Sequence, residues 1–218
     1  MKRSRNPDAT KAAIMNASLS CLAAEGIDEF SLVTVAELAG VNRSTVYDYY
    51  ETRENLIRET REWMSARLFK GVFGDIEALG ERPFEGIDVL ALNARLSKFA
   101  MDNPELCQVW LTHVLSMPNP AQDPFWREFE GALERFAQTD AAQPDLDAEI
   151  FTVILLAGTF IWPILVRART HSTKKMHDEA QRFLRQWHRL ALFGVSRPEY
   201  FPDLVKNAQD PHRPKAKS

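Results

Sequence analysis

Apolar residues recur at the 3.6-residue spacing of an α-helix along nearly the whole chain, and no alternating apolar pattern longer than a few residues occurs. Three of the Asn-Pro and Asp-Pro pairs, at Asn6, Asn103 and Asp123, place a side-chain acceptor before a proline at the start of a predicted helix, which is typical of a helix N-terminus. The pattern predicts an all-α fold of about nine helices, at residues 7–25, 31–39, 43–50, 53–80, 84–102, 104–116, 124–138, 146–170 and 174–194.

The first three predicted helices are short and closely connected, whereas the helices from residue 53 onward are longer. We therefore expect residues 1–52 to form a small helix-turn-helix module and residues 53–197 to form a larger helical bundle. Residues 198–218 end in a proline-rich, basic stretch, which predicts a flexible tail.

The charges of the chain are nearly balanced, because 27 Lys and Arg oppose 30 Asp and Glu and give a formal net charge of -3. A nucleic-acid function must therefore rest on a local motif. Cys21 and Cys107 form no CxxC pair, and the N-terminus lacks the apolar stretch of a signal peptide. Both features predict a cytoplasmic location.

Residues 150–166 carry no charged side chain and approach the ~20 residues that span a bilayer. Gly158 and Pro163 interrupt the segment, so we predict a buried helix and no membrane contact. This helix and the amphipathic helix after it carry more apolar surface than one small bundle buries. The last two helices, residues 146–170 and 174–194, are therefore predicted to pack as a four-helix bundle across the two-fold axis of a homodimer, with Phe183, Leu184, Trp187 and Ala191 in the interface.

Residues 31–50 have the spacing of two short helices that meet at a glycine. Ser31 can cap the first helix, Gly40 can end it with a positive φ, and Asn42 can cap the second. Val46 and Tyr50 lie four residues apart and face inward, which leaves a polar helix face for the major groove of DNA. The predicted DNA contacts are Ser31, Thr34, Arg43, Ser44, Thr45, Tyr47, Asp48, Tyr49 and Arg53.

Two of these positions have a more specific expectation. Arg53 and the N-terminal amides of its helix are predicted to bind a phosphate group. Asp48 either accepts a hydrogen bond from a cytosine amino group or faces solvent.

This segment resembles the TetR family of bacterial transcriptional regulators over about residues 11–56. The matching residues are Ile14-Met15 to Ala17, Leu22, Gly26, Leu32, Val35-Ala36, Ala39-Gly40-Val41, Thr45-Val46-Tyr47, Tyr49-Tyr50 and Arg53-Glu54-x-Leu56. The resemblance implies a homodimer that binds a palindromic double-stranded DNA operator, most often a repressor that a small effector releases. Two positions depart from the family pattern: Val33 stands where an arginine that reaches DNA is common, and Tyr49 where a histidine is usual.

The resemblance also implies that the bundle holds the effector. The residues that could line such a cavity are Trp63, Phe99, Met101, Trp110, His113, Met117, Phe125, Trp126, Thr159, Phe160 and Trp162. Each of them, taken singly, also fits ordinary core packing. Because aromatic and Met side chains dominate this set and no arginines cluster in the candidate segments, we expect a small, largely apolar effector that is neutral or weakly polar.

Other interpretations stay open. The same module would serve an activator or a regulator controlled by a partner protein. Residues 1–53 carry six basic and seven acidic side chains, so a helical ligand-binding protein without DNA function is a further alternative, unless Lys2, Arg3 and Arg5 add affinity. An enzyme is not expected, since the chain lacks the phosphate-binding, nucleophile-elbow and His-Glu-x-x-His motifs, and neither a cofactor nor a metal site is predicted.

Overall fold

The computed structural model describes residues 7–74, 89–139, 142, 145–170 and 172–193, with the backbone alone at 89–91, 173, 188 and 191–193. These residues form nine α-helices, one 3₁₀ turn at Pro120–Gln122 and no strand, which confirms the predicted all-α fold. The helices are α1 Pro7–Glu25, α2 Leu32–Ala39, α3 Arg43–Tyr49, α4 Arg53–Phe73, α5 Val89–Asp102, α6 Pro104–Leu115, α7 Pro124–Ala137, α8 Ala148–Arg169 and α9 Thr173–Phe193.

The largest difference from the predicted boundaries is at the end of α4. This helix was expected to reach residue 80, but it ends at Phe73 because Gly74 adopts a φ of 89°, which a helix cannot continue through. The first residues of the predicted helix 84–102 and the predicted tail 198–218 lie outside the described residues.

The predicted helix caps divide into two groups. The Asp123 carboxylate accepts from the amides of Phe125 and Trp126, and the Ser31 hydroxyl accepts from Val33 and Thr34, as expected. The predictions that the side chains of Asn42 and Asn103 cap their helices are wrong. The Asn42 side chain makes no capping hydrogen bond.

Asn103 does not cap α6 because its side chain is used elsewhere. Its amide nitrogen donates to the carbonyl of Phe99, and its amide oxygen accepts from the Arg67 guanidinium at 3.1 Å. Asn6, the third such position, lies outside the described residues.

The buried apolar side chains form two clusters, and α4 contributes to both. The N-terminal cluster joins α1, α2 and α3 and includes Ile14, Val35 and Val46. Leu56 in the first turn of α4 belongs to it as well. The second cluster fills the bundle and takes in α4 from Met64 onward. The start of α4 is thus packed with the helix-turn-helix module, and the rest of α4 with the bundle.

Helix α8 is long and apolar enough to cross a membrane by length and composition. In this fold its inner face is part of the bundle core, where Leu155, Leu156 and Phe160 are buried. Its other face remains apolar and exposed at Ile150, Val153, Ile154, Ile161 and Leu165.

The apolar stripe of α9, which carries the predicted dimer residues, packs against its own chain. Trp187 is buried against Phe151, with ring centroids 5.9 Å apart, and Phe183 stacks on Trp162 at 6.0 Å. Leu184 is partly buried against the same core, and the side chain of Ala191 lies outside the described residues. The stripe is used within the monomer because α9 covers α8 and α5.

Candidate DNA-binding surface and effector groove

The short helix α3 is held by a glycine turn and two buried side chains. Gly40 has a φ of 63°, and its backbone N–H donates to the carbonyls of Ala36 and Glu37 at the end of α2. Val46 is fully buried and Tyr50 is 2% exposed. Burial raises the pKa of the Tyr50 phenol to about 12, so this side chain stays neutral within the apolar cluster. One face of α3 is therefore fixed in the module.

The opposite face of α3 is polar and accessible. The side chains of Arg43, Ser44, Tyr47, Asp48 and Tyr49 are exposed, and Thr45 is half-buried. Arg43 lies 3.5 Å from the Glu37 carboxylate, but both side chains are more than 60% exposed, so the ion pair is weak and the guanidinium can reach another partner. Six side chains with donors or acceptors thus lie on one rigid surface.

The predicted contacts that flank α3 have structural partners. The Ser31 hydroxyl accepts from the amides of Val33 and Thr34 at 3.2 and 3.3 Å, which leaves its own proton available to an acceptor. Thr34 is half-buried beside it. The Tyr49 hydroxyl donates to the carbonyl of Pro7 at 3.4 Å, so the end of α3 contacts the start of α1.

Arg53 was expected to bind phosphate, but its donors are already used within the module. Its Nε donates to the Phe30 carbonyl at 2.8 Å, and its Nη2 donates to the carbonyls of Ile27 and Asp28. The guanidinium therefore holds the loop between α1 and α2 against α4. Loop carbonyls as acceptors could not be predicted, because no residue type in the sequence marks them.

An open groove of about 1170 Å³ lies between α4, α6 and α7 in the bundle. Its lining includes the apolar side chains Ala66, Phe69, Met117 and Pro124, the polar side chains Ser65, His113 and Gln122, and seven charged side chains. The charged residues are Arg58, Arg61, Lys70, Arg127, Glu62, Asp123 and Glu128.

Only His113 and Met117 of the predicted ligand-binding residues line this groove. Trp110, Phe125 and Phe160 are fully buried and pack edge-to-face, with ring centroids 5.2 to 5.5 Å from Trp110. Trp126, Met101 and Thr159 are also buried, whereas Trp63, Phe99 and Trp162 are half-buried against neighbouring helices. Large aromatic side chains fill the core, and the groove forms where polar side chains meet.

A buried carboxylate joins the three helices at the base of the groove. Besides capping α7, Asp123 accepts hydrogen bonds from the Ser65 hydroxyl of α4 and the Trp110 indole of α6, both at 3.1 Å. Asp123 is 6% exposed, so these neutral donors replace the water that its charge would otherwise bind. We call Asp123, Ser65 and Trp110 the Asp123 cluster.

The expectation that no arginines cluster here is wrong, because Arg58, Arg61 and Arg127 all reach the groove. Arg58 and Arg61 lie three residues apart on α4, and this spacing was the available sequence signal. Burial lowers the pKa of Arg61. Burial also lowers the pKa of His113, the charge of Arg61 lowers it further, and the charge of Asp123 opposes both. His113 is therefore a neutral hydrogen-bonding group at neutral pH.

The family model described as "Bacterial regulatory proteins, tetR family" matches residues 14–60, which run from the core of α1 into α4. The matched segment contains the helix-turn-helix of α2 and α3 and agrees with the resemblance to the TetR family found in the sequence. None of the curated proteins compared with the chain matches it.

Solved structures of several regulators share the fold over most of this chain. The fatty acid degradation regulator FadR of Bacillus halodurans has a TM-score of 0.61 at 14% identity and covers 85% of this chain and 100% of its own. A TetR-family regulator of Marinobacter aquaeolei VT8 has a TM-score of 0.61 at 16% identity and covers 81% and 94%. FadR of Bacillus subtilis, solved in complex with stearoyl-CoA, has a TM-score of 0.58 at 14% identity and covers 85% of this chain and 100% of its own.

The two departures from the TetR-family pattern lie in α2 and at the end of α3. Val33 is half-buried in the first turn of α2 and has no side-chain donor for DNA. Tyr49 stacks on Tyr50, with ring centroids 6.2 Å apart, and keeps its hydroxyl near α1. Among the described residues, no three His, Cys, Asp or Glu side chains come together as a metal site would require.

Proposed function

We propose that this protein is a cytoplasmic, homodimeric repressor that binds a palindromic operator through α3 and is released from it by a small, largely apolar effector. The observation that carries the proposal is the exposed polar face of α3, which is fixed from behind by Val46 and Tyr50. The direct DNA contacts we assign are Arg43, Ser44, Thr45, Tyr47, Asp48 and Tyr49, with Ser31 and Thr34 as supporting phosphate contacts.

The homodimer we propose uses the outer face of α8 rather than the stripe of α9. Five large aliphatic side chains on α8 are 42% to 58% exposed, from Leu165 to Ile150, and Leu190 of α9 is also exposed at 38%. An apolar face of this length is typical of a helix that packs against a second copy of itself. A two-fold dimer would also place two α3 helices in successive major grooves, about 34–36 Å apart.

The effector site we propose is the groove between α4, α6 and α7. Helix α6 links this groove to the DNA-binding module, since His113 lines the groove while Val109, one turn earlier, packs against the N-terminal cluster. Helix α1 packs directly on α6. A ligand that moves α6 or α4 would therefore shift the module and change the distance between the two α3 helices. The complex of Bacillus subtilis FadR makes long acyl compounds the first ligands to test.

The proposal can be tested by selecting binding sites for the purified protein from random duplex DNA. We expect a palindromic sequence with half-sites about one helical turn apart. Arg43→Ala should cost about 1–3 kcal/mol mainly at one base position, whereas Tyr47→Ala should weaken binding to all sequences. Arg95→Ala, which changes an exposed arginine on α5, is the matched control and should leave the affinity unchanged.

Two outcomes would contradict this proposal. The DNA-binding assignment fails if no sequence is enriched, or if Arg43→Ala and Tyr47→Ala bind the operator as the unchanged protein does at the same salt concentration. The repressor assignment fails if the protein raises transcription from a promoter that contains the selected site.

A further inference from the structure

The acidic side chains that line the groove all have partners. The Glu62 carboxylate lies 2.7 Å from the Arg58 guanidinium, and the Glu128 carboxylate lies 2.7 Å from that of Arg135. The Asp123 carboxylate accepts four hydrogen bonds, from Ser65, Trp110 and the amides of Phe125 and Trp126. These carboxylates are therefore not available to compensate another cation.

Two of the arginines that line the groove have no such partner. Among the residues that the structure describes, no carboxylate lies within 4.0 Å of Arg61 or Arg127, and neither side chain makes a hydrogen bond. Arg127 is exposed and can be hydrated, but Arg61 is half-buried in the wall of the groove. A half-buried guanidinium without a counter-charge has lost part of its hydration, and no ion pair offsets that loss.

The surroundings of Arg61 suit an anion that is attached to an apolar body. His113 is close enough to Arg61 for burial and the guanidinium charge to lower the pKa of its imidazole, which therefore stays neutral and can donate one hydrogen bond. Phe69, Met117 and Pro124 supply apolar surface along the same groove. A planar guanidinium binds a carboxylate or a phosphate through two parallel hydrogen bonds, which a lysine cannot do.

We infer that the effector is an organic anion, with an apolar body in the groove and one acidic group held by Arg61 with support from His113 and Arg127. This inference rests on the proposed function and refines it, since the effector is charged at one end rather than neutral throughout. Arg61 is the specificity-determining residue, because the residues that the structure describes leave its charge partly desolvated and uncompensated.

The test compares straight-chain carboxylates of increasing length with the primary amides of the same length, by calorimetric titration into the full-length protein without DNA. We expect each carboxylate that binds to do so about ten-fold or more tightly than its amide. Arg61→Gln should remove this preference and Arg61→Lys should retain part of it. Arg58→Gln is the matched control, because this arginine lines the same groove but is paired with Glu62, and it should keep the preference.

A second measurement separates a binding role from a structural one. If Arg61 binds the ligand, Arg61→Gln should leave the free energy of unfolding of the ligand-free protein unchanged or slightly higher, because a partly desolvated charge is removed. Equal affinity for carboxylates and amides, no binding of any compound, or a marked loss of stability in Arg61→Gln would each overturn the inference.

The proposed function has a separate readout. Operator titration with and without the carboxylate shows whether the ligand changes DNA affinity, and reciprocity requires the operator to weaken carboxylate binding by the same factor. A carboxylate that binds at Arg61 but leaves operator affinity unchanged would contradict effector-induced release and leave the anion site standing.

Discussion

The module and the bundle satisfy their buried polar groups in different ways. In the module, the Ser18 hydroxyl donates to the Ile14 carbonyl of its own helix, and Thr60, beside the module on α4, does the same with Leu56, so neither hydroxyl joins two helices. In the bundle, the Asp123 carboxylate accepts hydrogen bonds from side chains of two other helices. The buried interior of the module is thus held by apolar contacts, whereas the spacing of α4, α6 and α7 also depends on polar bonds beside the groove.

The comparison predicts that removing the bundle's polar centre has the largest effect. Asp123→Ala leaves the Trp110 indole, the Ser65 hydroxyl and two amides without an acceptor, and should lower the free energy of unfolding by about 3 kcal/mol or more. All five tryptophans lie between residues 63 and 187, so denaturant unfolding followed by tryptophan fluorescence reports on the bundle.

The matched control is Asp147→Ala. Asp147 caps α8 with one hydrogen bond to the Ile150 amide at the surface, so its loss should cost about 1 kcal/mol. Equal losses for the two variants would mean that Asp123 is an ordinary cap and that the helices are spaced by apolar contacts, as in the module.

A smaller effect is expected from a cavity in the module. Val46→Ala removes two fully buried methyl groups and should destabilise the module by about 2 kcal/mol. Helicity measured by circular dichroism should then decrease at lower denaturant concentration, while the tryptophan transition of the bundle stays in place. Leu38→Ala, at a side chain that is 57% exposed on α2, should change neither. If both transitions shift together in Val46→Ala, the two regions unfold as one unit.

The smallest effects should differ in sign between the regions. At Gly40 a Cβ atom would have open space, so Gly40→Ala costs only the strain of the left-handed conformation, about 1 kcal/mol. Gly131 is helical, and an added Cβ would meet only the flexible end of Arg135, at 3.3 Å. Gly131→Ala should therefore stabilise the bundle by about 0.5–1 kcal/mol. Thermal unfolding measures the stability change of both variants. A Gly40→Ala protein as stable as the unchanged protein would show that the turn at residue 40 relaxes to another conformation.

The sequence predicted best what depends on neighbouring residues. Ser31, Gly40 and Asp123 could be assigned because a cap or a positive-φ turn needs only the residues around it. The same reasoning misjudged Asn103, because Arg67, 36 residues earlier, binds its amide oxygen. Local signals cannot show which long-range partner competes for a side chain.

The groove between α4, α6 and α7 could not be predicted for the same physical reason. Arg61 and Ser65 lie on α4 and Asp123 caps α7, and nothing in the sequence shows that α4, α6 and α7 meet there. Most of the predicted ligand-binding residues are large aromatic side chains, and these side chains pack in the core of the bundle. For α9, the stripe predicted an apolar contact correctly, but it could not show whether the partner lies in the same chain.

The contact between the Tyr49 hydroxyl and the Pro7 carbonyl places the start of α1 beside the end of α3. Lys2, Arg3 and Arg5 precede Pro7 by two to five residues in the sequence. Each phosphate that they neutralise releases condensed counterions and steepens the decrease of affinity with salt by about one unit in the logarithmic slope. The rest of residues 1–53 carries three basic and seven acidic side chains, so we expect these three N-terminal charges to dominate the ionic-strength dependence of operator binding.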